Sequence, residues 1–200
     1  MPLVEEFIGS HPSIIAGSTW PEDEAVLKET VEDLSKHSLK LVIAPHEITE
    51  AHIASIIELF PNAVRYSQLD EFKIQNLKFK ILIVDNIGML SRLYKYATIT
   101  YVGGGFGKGI HNILEAAVYG KPVLFGPVFH KFREAKDLIH DGGAKSIANA
   151  EKCRELVEEL LLDKEVYKIT CEDARKYVYD NRGATQKILN YIQEKRLLIN

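Results

Sequence analysis

The sequence predicts an α/β fold, a Rossmann-like parallel sheet with helices on both faces. Short apolar runs alternate with helical stretches of about ten residues through most of the chain, which is typical of βαβ units. The runs are apolar at almost every position, as strands buried on both faces require. Five runs end in polar or glycine-rich corners, and in such sheets ligands bind at the carboxyl ends of the strands.

The first half of the chain is predicted to hold four strands. Residues 1–12 are expected to be an extended lead-in, before a first strand at 14–18. Pro21 suits the first turn of the helix that follows, and the acids at 22–24 suit the positive end of its dipole. The further elements are a strand at 39–44, a helix at 50–60, a weak strand at 63–66, a surface loop or partial helix at 67–79, a strand at 79–85 and a short helix at 89–96.

The second half repeats this alternation and then becomes helical. A strand at 98–102 leads into a glycine-rich loop, and the helix behind it, 112–119, is ended by Gly120. The remaining predicted elements are a strand at 122–125, a helix at 131–140, a strand at 144–148 and helices at 151–162, 166–179 and 185–198.

Composition excludes several classes of function. A net charge of −3 gives no electrostatic case for nucleic-acid binding. Cys153 and Cys171 are too far apart for a close-spaced zinc or redox pair, which favours reduced thiols in the cytoplasm. No apolar run approaches the roughly 18 residues that span a bilayer, and the start does not resemble a signal peptide. We therefore expect a cytoplasmic protein, with peripheral membrane contact left open.

The loop Gly103–Gly109 is the strongest functional signal, with five glycines in seven positions. Such a loop lets backbone N–H groups approach a ligand, and the helix start behind it suits phosphate. Its spacing is neither the dinucleotide fingerprint nor a Walker loop. We expect a nucleotide-linked ligand here, although tight turns alone would also explain some of the glycines.

Several polar residues near these corners have two readings each. Glu115 follows Asn112 by three residues, so the pair is either a capping box or a ribose and phosphate site. His111 is either a helix-start residue or a ligand contact. Ser18 and Thr19 either cap the helix that follows them or meet an anionic ligand.

Other candidates lie further from the loop. His46 follows the second strand and is either a surface histidine or a ligand contact, and the basic stretch 130–133 is either solvated or anion-binding. No histidine pair has metal-site spacing, so no metal is expected. No nucleophile elbow is present either, so a covalent nucleophile is not indicated.

Five segments, in this order, resemble the C-terminal half of 3-deoxy-D-manno-octulosonic acid (Kdo) transferases, which are GT-B glycosyltransferases of lipopolysaccharide synthesis. They are IAGSTWPEDE at 15–24, DNIGML at 85–90, YVGGG at 101–105, HNILEAA at 111–117 and GKPVLFGP at 120–127. The similarity covers roughly residues 13–148.

This resemblance implies a donor site and its residues. The family transfers Kdo from CMP-Kdo to the lipid A precursor at the cytoplasmic face of the inner membrane, with no metal and no cofactor. Glu115 would bind the ribose hydroxyls, and Gly88 and Met89 would lie near the cytosine. The other implied donor contacts are Ser18, Thr19, His46, Gly104, Gly105, His111 and Asn112, with Lys108, Lys131 and Arg133 as candidates to balance the phosphate and carboxylate charges.

The resemblance also implies a division of labour. An N-terminal domain outside this sequence would hold the acceptor surface, the membrane-associating segment and the general base, so no catalytic residue is expected here. Residues 1–12 would be an interdomain linker, 13–184 the donor-binding domain and 185–200 a helix that packs on the other domain, leaving its apolar side chains partly exposed: Ile188, Leu189, Ile192, Leu197 and Leu198. The alternatives are the donor domain of another GT-B enzyme, a UDP-sugar transferase or epimerase, or a non-catalytic nucleotide-binding module.

Overall fold

A seven-stranded parallel sheet forms the centre of the chain. The structure is a computed structural model that describes residues 1–34, 37–69, 80–195 and 197. Its strands are β1 (Ser13–Thr19), β2 (Lys40–Pro45), β3 (Ala63–Arg65), β4 (Ile81–Ile83), β5 (Ile99–Val102), β6 (Val123–Phe125) and β7 (Ala144–Ser146). They lie in the order β3-β4-β2-β1-β5-β6-β7, and every neighbouring pair is parallel. The predicted fold class is confirmed.

Helices cover both faces of this sheet. They are α1 (Pro2–Ile8), α2 (Pro21–Asp33), α3 (Glu50–Leu59), α4 (Leu90–Leu93), α5 (Leu114–Ala117), α6 (Arg133–His140), α7 (Ala150–Leu162), α8 (Lys164–Asn181) and α9 (Ala184–Glu194). Successive residues of β1 face opposite sides, so Ile15 packs with the α1 and α6 layer and Ile14 with the α2 and α7 layer. Both cores are made mostly of aliphatic side chains, as the apolar runs predicted.

Three predicted elements differ from the structure. The extended lead-in at 1–12 is wrong, because Pro2–Ile8 is helical and Val4, Phe7 and Ile8 are buried against the sheet. The helix predicted at 112–119 is shorter, Leu114–Ala117. The helix predicted at 89–96 ends at Leu93 and continues as one 3₁₀ turn. Most of the segment predicted as a loop or partial helix, 70–79, lies outside the described residues.

The last helix carries the exposed apolar surface that was predicted. None of the side chains of α9 is buried, and Ile188 and Leu189 are 58% and 47% exposed. Leu197, beyond the helix, is also exposed, whereas Leu198 lies outside the described residues. What covers this surface stays a prediction. No helix in the described part of the chain is long and apolar enough to cross a bilayer.

The sheet order fixes where a ligand can bind. From β1 the chain turns to β2 on one side, and β5 lies on the other side of β1. The connections from these two strands therefore diverge at the carboxyl ends of β1 and β5. Such a switch point leaves a crevice in doubly wound sheets, and it is the usual place for a ligand.

Candidate functional site

A cavity of about 550 Å³ opens beside this switch point. We call it the rim cavity, and it is lined by Ser18, 44–49, Val84, 86–88 and Leu90. It therefore joins the corners that follow β1, β2 and β4. Three of the predicted donor contacts, Ser18, His46 and Gly88, line it. The sequence could place them at one edge of the sheet, but only the structure shows that they share one cavity.

The corner after β1 is strained and tightly packed. A bulge interrupts the β1–β2 ladder between Gly17 and Thr19, and Ser18 lies in the left-handed region with φ of 53°. The bulge turns Ser18 toward the rim cavity. Non-glycine residues in this region carry strain and cluster at functional sites. Thr19, in contrast, is fully buried.

The prediction that the Thr19 side chain meets the donor is not supported by its position. Its hydroxyl donates a hydrogen bond of 2.9 Å to Glu24 Oε1, and the side chain has no exposed surface. The other carboxylate oxygen, Glu24 Oε2, lies 3.1 Å from His52 Nε2 in the first turn of α3. Burial raises the pKa of the Glu24 carboxyl, although the Thr19 hydrogen bond and His52 oppose that shift. Thr19 thus belongs to a buried link between β1, α2 and α3.

Asp23 forms a second buried link, from α2 to the glycine-rich loop. Its Oδ2 accepts hydrogen bonds from the backbone N–H groups of Gly104 (2.8 Å) and Trp20 (2.9 Å), and its Oδ1 accepts one from the Tyr101 hydroxyl (2.6 Å). Burial raises the pKa of the Asp23 carboxyl, and the hydrogen bonds from Gly104 and Tyr101 oppose that shift. The acid that the sequence assigned to the helix dipole therefore connects two corners of the site.

The glycines at 103–105 serve close packing more than open approach to a ligand. A Cβ on Gly103 would lie 2.3 Å from the Ser18 carbonyl oxygen, and one on Gly104 would lie 2.3 Å from the Gly109 oxygen. Gly105 is pressed against Gly126 in the same way. The N–H of Gly104, predicted to line the phosphate, is already bonded to Asp23. Tight turns and close packing therefore explain these glycines better than ligand contact does.

Three aromatic rings cluster beside the loop. Trp20 and His111 each stack on His46, with ring centroids 4.7 Å and 4.3 Å away and planes inclined by 27° and 25°. The indole Nε1–H of Trp20 donates a hydrogen bond of 3.2 Å to His111 Nε2. Burial and the nearby His46 lower the pKa of His111, while Asp23 opposes that shift. His111 is therefore a neutral imidazole near neutral pH.

Glu115 and Asn112 form a pair, but not a capping box. Asn112 Nδ2 donates to Glu115 Oε1 at 3.1 Å, and Asn112 Oδ1 accepts the N–H of Leu114 at 3.1 Å. Among the described residues no hydrogen bond occupies the second oxygen of Glu115. After burial, the Glu115 charge is the next cause of the raised pKa of Tyr94, whose hydroxyl lies against Gly17. The Glu115 charge therefore acts on a tyrosine that packs against the end of β1.

Hydrogen bonds to Asp85 hold the corner after β4 in place. Asp85 accepts hydrogen bonds from the Ser67 N–H and hydroxyl and from Arg65 Nε. Burial acts to raise the pKa of the Asp85 carboxyl, but these hydrogen bonds outweigh it and hold the pKa below its usual value. Above this anchor Gly88 has φ of 80° with open space around it, and Ile87 is exposed. Met89 is half-buried against the core.

The predicted cations stand apart from the rim cavity. Lys108, Lys131 and Arg133 are exposed, and none of the three lines it. Arg133 pairs with Asp137 within α6 at 3.3 Å. No group of three or more histidine, cysteine or acidic side chains in the described ranges could hold a metal ion.

The sequence did not predict the residues that support the site through hydrogen bonds and packing beneath its surface. Trp20, Asp23 and Tyr94 act through partners distant in sequence, and Asp23 reaches Tyr101 and Gly104 across about 80 positions. A signal was present, because a tryptophan and an acid directly follow a strand end at a predicted ligand edge. Which partners they would meet could not be read from spacing.

Comparison with known proteins finds relatives by sequence and similar solved structures. No family model matches the chain. A curated 3-deoxy-D-manno-octulosonic acid transferase from Rickettsia conorii is 30% identical over 186 residues, 90% of this chain, and one from Aquifex aeolicus is 32% identical over 158 residues, 76% of this chain. By sequence, the chain is similar to Kdo transferases. It spans 39% and 43% of these two relatives' lengths.

Two solved structures share the fold of this chain. The C-terminal CMP-Kdo binding domain of WaaA from Acinetobacter baumannii matches with a TM-score of 0.77 at 20% identity, over 90% of this chain and 95% of that one. The C-terminal domain of a group 1 glycosyl transferase, LpcC, from Francisella tularensis matches with a TM-score of 0.62 at 14% identity, over 90% and 92%. The fold is that of the C-terminal half of GT-B enzymes.

Proposed function

We propose that this chain is the donor-binding domain of a Kdo transferase and that the donor is CMP-Kdo. The observation that carries the proposal is the pair Asn112–Glu115, a carboxylate with one oxygen held and the other open, near the switch point of a chain aligned with Kdo transferases. The neighbouring structure described as a CMP-Kdo binding domain supports the same ligand.

We assign the ribose and the base to partners at this edge of the sheet. A carboxylate can accept hydrogen bonds from two neighbouring ribose hydroxyls, and the open oxygen of Glu115 supplies the needed acceptor. Gly88, with a left-handed backbone and free space around it, allows a planar base to approach the corner after β4. Ser18 and His46 line the rim cavity together with Gly88.

The phosphate is assigned to the turn before α5. The N–H group of Asn112, an exposed residue, has no hydrogen-bond partner among the described residues, and His111 precedes it. Such N–H groups stabilise a developing negative charge without reorganisation, so this domain would stabilise the departing CMP. Gly104, Gly105 and Thr19 are positioning groups in this assignment, since they are buried behind the surface.

The rest of the reaction is assigned to a domain outside this sequence. We propose that it binds the lipid A precursor, contacts the cytoplasmic face of the inner membrane peripherally and supplies the general base. The complete reaction would need neither a metal nor a cofactor, and this chain alone would be inactive. The exposed apolar side chains of α9 would pack on that domain.

Another GT-B donor is the second candidate. The fold also matches Anabaena HepE solved with UDP and glucose, with a TM-score of 0.64 at 10% identity. The nucleotide therefore has to be measured. Titration calorimetry should show that CMP binds more tightly than UMP or UDP, whereas tighter UDP binding would favour a UDP-sugar enzyme. Absence of any nucleotide binding would contradict both candidates.

Glu115 provides the mutational test. Glu115→Ala should weaken CMP binding by about 1–3 kcal/mol, because hydrogen bonds between the carboxylate and ribose are lost. Glu29→Ala, which removes an exposed carboxylate on the surface of α2, is the matched control and should bind CMP like the wild type. If Glu115→Ala lowers the melting temperature but leaves CMP affinity intact, Glu115 is a structural residue and the assignment is wrong.

A further inference from the structure

The geometry of the cluster formed by Trp20, His46 and His111 determines which ring nitrogen of His111 carries the proton. If His46 lay between the other two rings, the Trp20 and His111 nitrogens would be separated by two van der Waals spacings, about 7 Å in all. They are 3.2 Å apart. Trp20 and His111 therefore lie side by side on the same face of His46. His46, which lines the rim cavity, covers both of them.

The hydrogen bond between the two covered rings has only one possible direction. The indole nitrogen of Trp20 is a donor and never an acceptor, so His111 Nε2 must offer its lone pair. The ring proton of His111 is then on Nδ1. A second proton on Nε2 would set two donors against each other at 3.2 Å.

Trp20 is itself held in place from behind. Its backbone N–H donates to Asp23 Oδ2, the same oxygen that holds Gly104, and the His111 N–H donates to the Gly103 carbonyl at 3.1 Å. Both rings are thus attached to one rigid unit of backbone. Trp20 carries no charge, and the ionisable groups whose charges act on His111 are His46, from the corner after β2, and Asp23, from α2.

We propose that Trp20 is a positioning residue that holds His111 as a neutral imidazole with its proton on Nδ1. His111 then donates a hydrogen bond from Nδ1 to the bound CMP-Kdo and does not bind it as a cation. No group in the described part of the chain accepts a hydrogen bond from Nδ1, and His111 is partly exposed. This inference rests on the proposed function for the identity of its ligand. It adds a residue, Trp20, and a chemical reason for its place.

The consequence is recognition that does not depend on histidine charge. A cationic His111 would add attraction for the phosphate as the pH falls through about 6.5. A neutral one keeps the same hydrogen bond throughout that range. The donor site would therefore lose one source of pH dependence, and Trp20 would be the cause.

The first test needs no ligand. Long-range nitrogen–proton NMR of the wild-type chain should show His111 protonated on Nδ1, with a pKa below the usual histidine value. Trp20→Phe keeps a ring for stacking but removes the indole donor, so the pKa of His111 should rise. Tyr167→Phe is the control: it removes a hydrogen bond from the Tyr167 hydroxyl on α8 to the Thr98 carbonyl before β5, and it should change neither property. A proton on Nε2 in the wild type, or an unchanged His111 in Trp20→Phe, would overturn the inference.

The second test uses CMP as the probe. An asparagine amide lies near the place of Nδ1 and a glutamine amide near that of Nε2, so His111→Asn should keep affinity within about threefold and His111→Gln should lose about tenfold. The ratio of CMP affinities between Trp20→Phe and wild type should increase from pH 8 to pH 6, and the ligand's own titration cancels in that ratio. Equal losses in the two His111 variants would refute the ligand contact.

The two tests separate the two proposals. If the wild-type chain binds no CMP, the proposed function fails and the ligand contact of His111 fails with it. The tautomer measured without ligand would still decide whether Trp20 positions His111. The chain has one tryptophan, so fluorescence during the CMP titration reports on this cluster alone.

Discussion

Replacing Asp23 should destabilise the domain by removing the link between α2 and the glycine-rich loop. Asp23→Ala leaves the N–H groups of Gly104 and Trp20 and the hydroxyl of Tyr101 without their acceptor, in a region where Asp23 itself is 1% exposed. Each unsatisfied buried group costs about 1–3 kcal/mol, and partial relaxation reduces the sum to about 3–5 kcal/mol. That is a large part of the 5–15 kcal/mol by which domains are usually stable.

Two further variants separate hydrogen bonding from charge. Asp23→Asn can keep its oxygen on both N–H groups and turn its amide toward Tyr101, whose hydroxyl can rotate to accept, so it should cost only about 1 kcal/mol. Glu22→Gln removes an exposed acid from the same helical turn and should cost only a few tenths of a kcal/mol, the size of a helix-dipole effect.

Thermal unfolding followed by circular dichroism and by Trp20 fluorescence measures all three variants. For a chain of this length each kcal/mol shifts the melting temperature by about 2–4 °C, so Asp23→Ala should melt roughly 6–20 °C below the wild type. If Asp23→Ala is as stable as Glu22→Gln, the link carries no energy. If Asp23→Asn is as damaging as Asp23→Ala, the negative charge matters and the hydrogen-bond account is wrong.

Two further predictions concern the same corner. Gly104→Ala should destabilise the chain by at least about 1–3 kcal/mol, because φ is 91° and the new Cβ meets the Gly109 oxygen at 2.3 Å. Gly107→Ala, whose Cβ would have its nearest neighbour at 3.8 Å, should be close to neutral in the same thermal melt, and equal effects would refute the packing argument. The lowered pKa of His111 means that the unfolded chain binds more protons below about pH 6.5, so the free energy of unfolding should fall as the pH decreases from there. This slope should be smaller in Trp20→Phe, and an identical slope in urea titrations at pH 7 and pH 5.5 would contradict the assignment.

Much of the fold could be predicted because burial repeats locally. The strands next to the switch point, β1 and β5, are apolar on both faces, and two-sided burial leaves that pattern in the sequence. The predicted lead-in is wrong at the first helix, although Val4, Phe7 and Ile8 have helical spacing, because the apolar run there is short. Helix α5 begins only at Leu114, whose N–H is bonded to the Asn112 side chain.

The site was less predictable than the fold. The corners could be placed on one edge because parallel strands end there together, and Ser18, His46 and Gly88 do line one cavity. The partners of Asp23 and Trp20 are set by tertiary packing across the sheet, and no local pattern encodes them. Loop glycines were ambiguous for the same reason, since a glycine required by packing and one required by a ligand look alike in sequence.

The most direct test of the central claim is an NMR titration of the isotope-labelled chain with CMP. The account predicts saturable shifts at 112–115, at 86–89, at Ser18 and at the indole N–H of Trp20, with little change at 168–175 on α8. UMP should produce the same pattern only at higher concentration. No saturable shift with CMP, or shifts centred away from the carboxyl ends of β1, β4 and β5, would contradict the account.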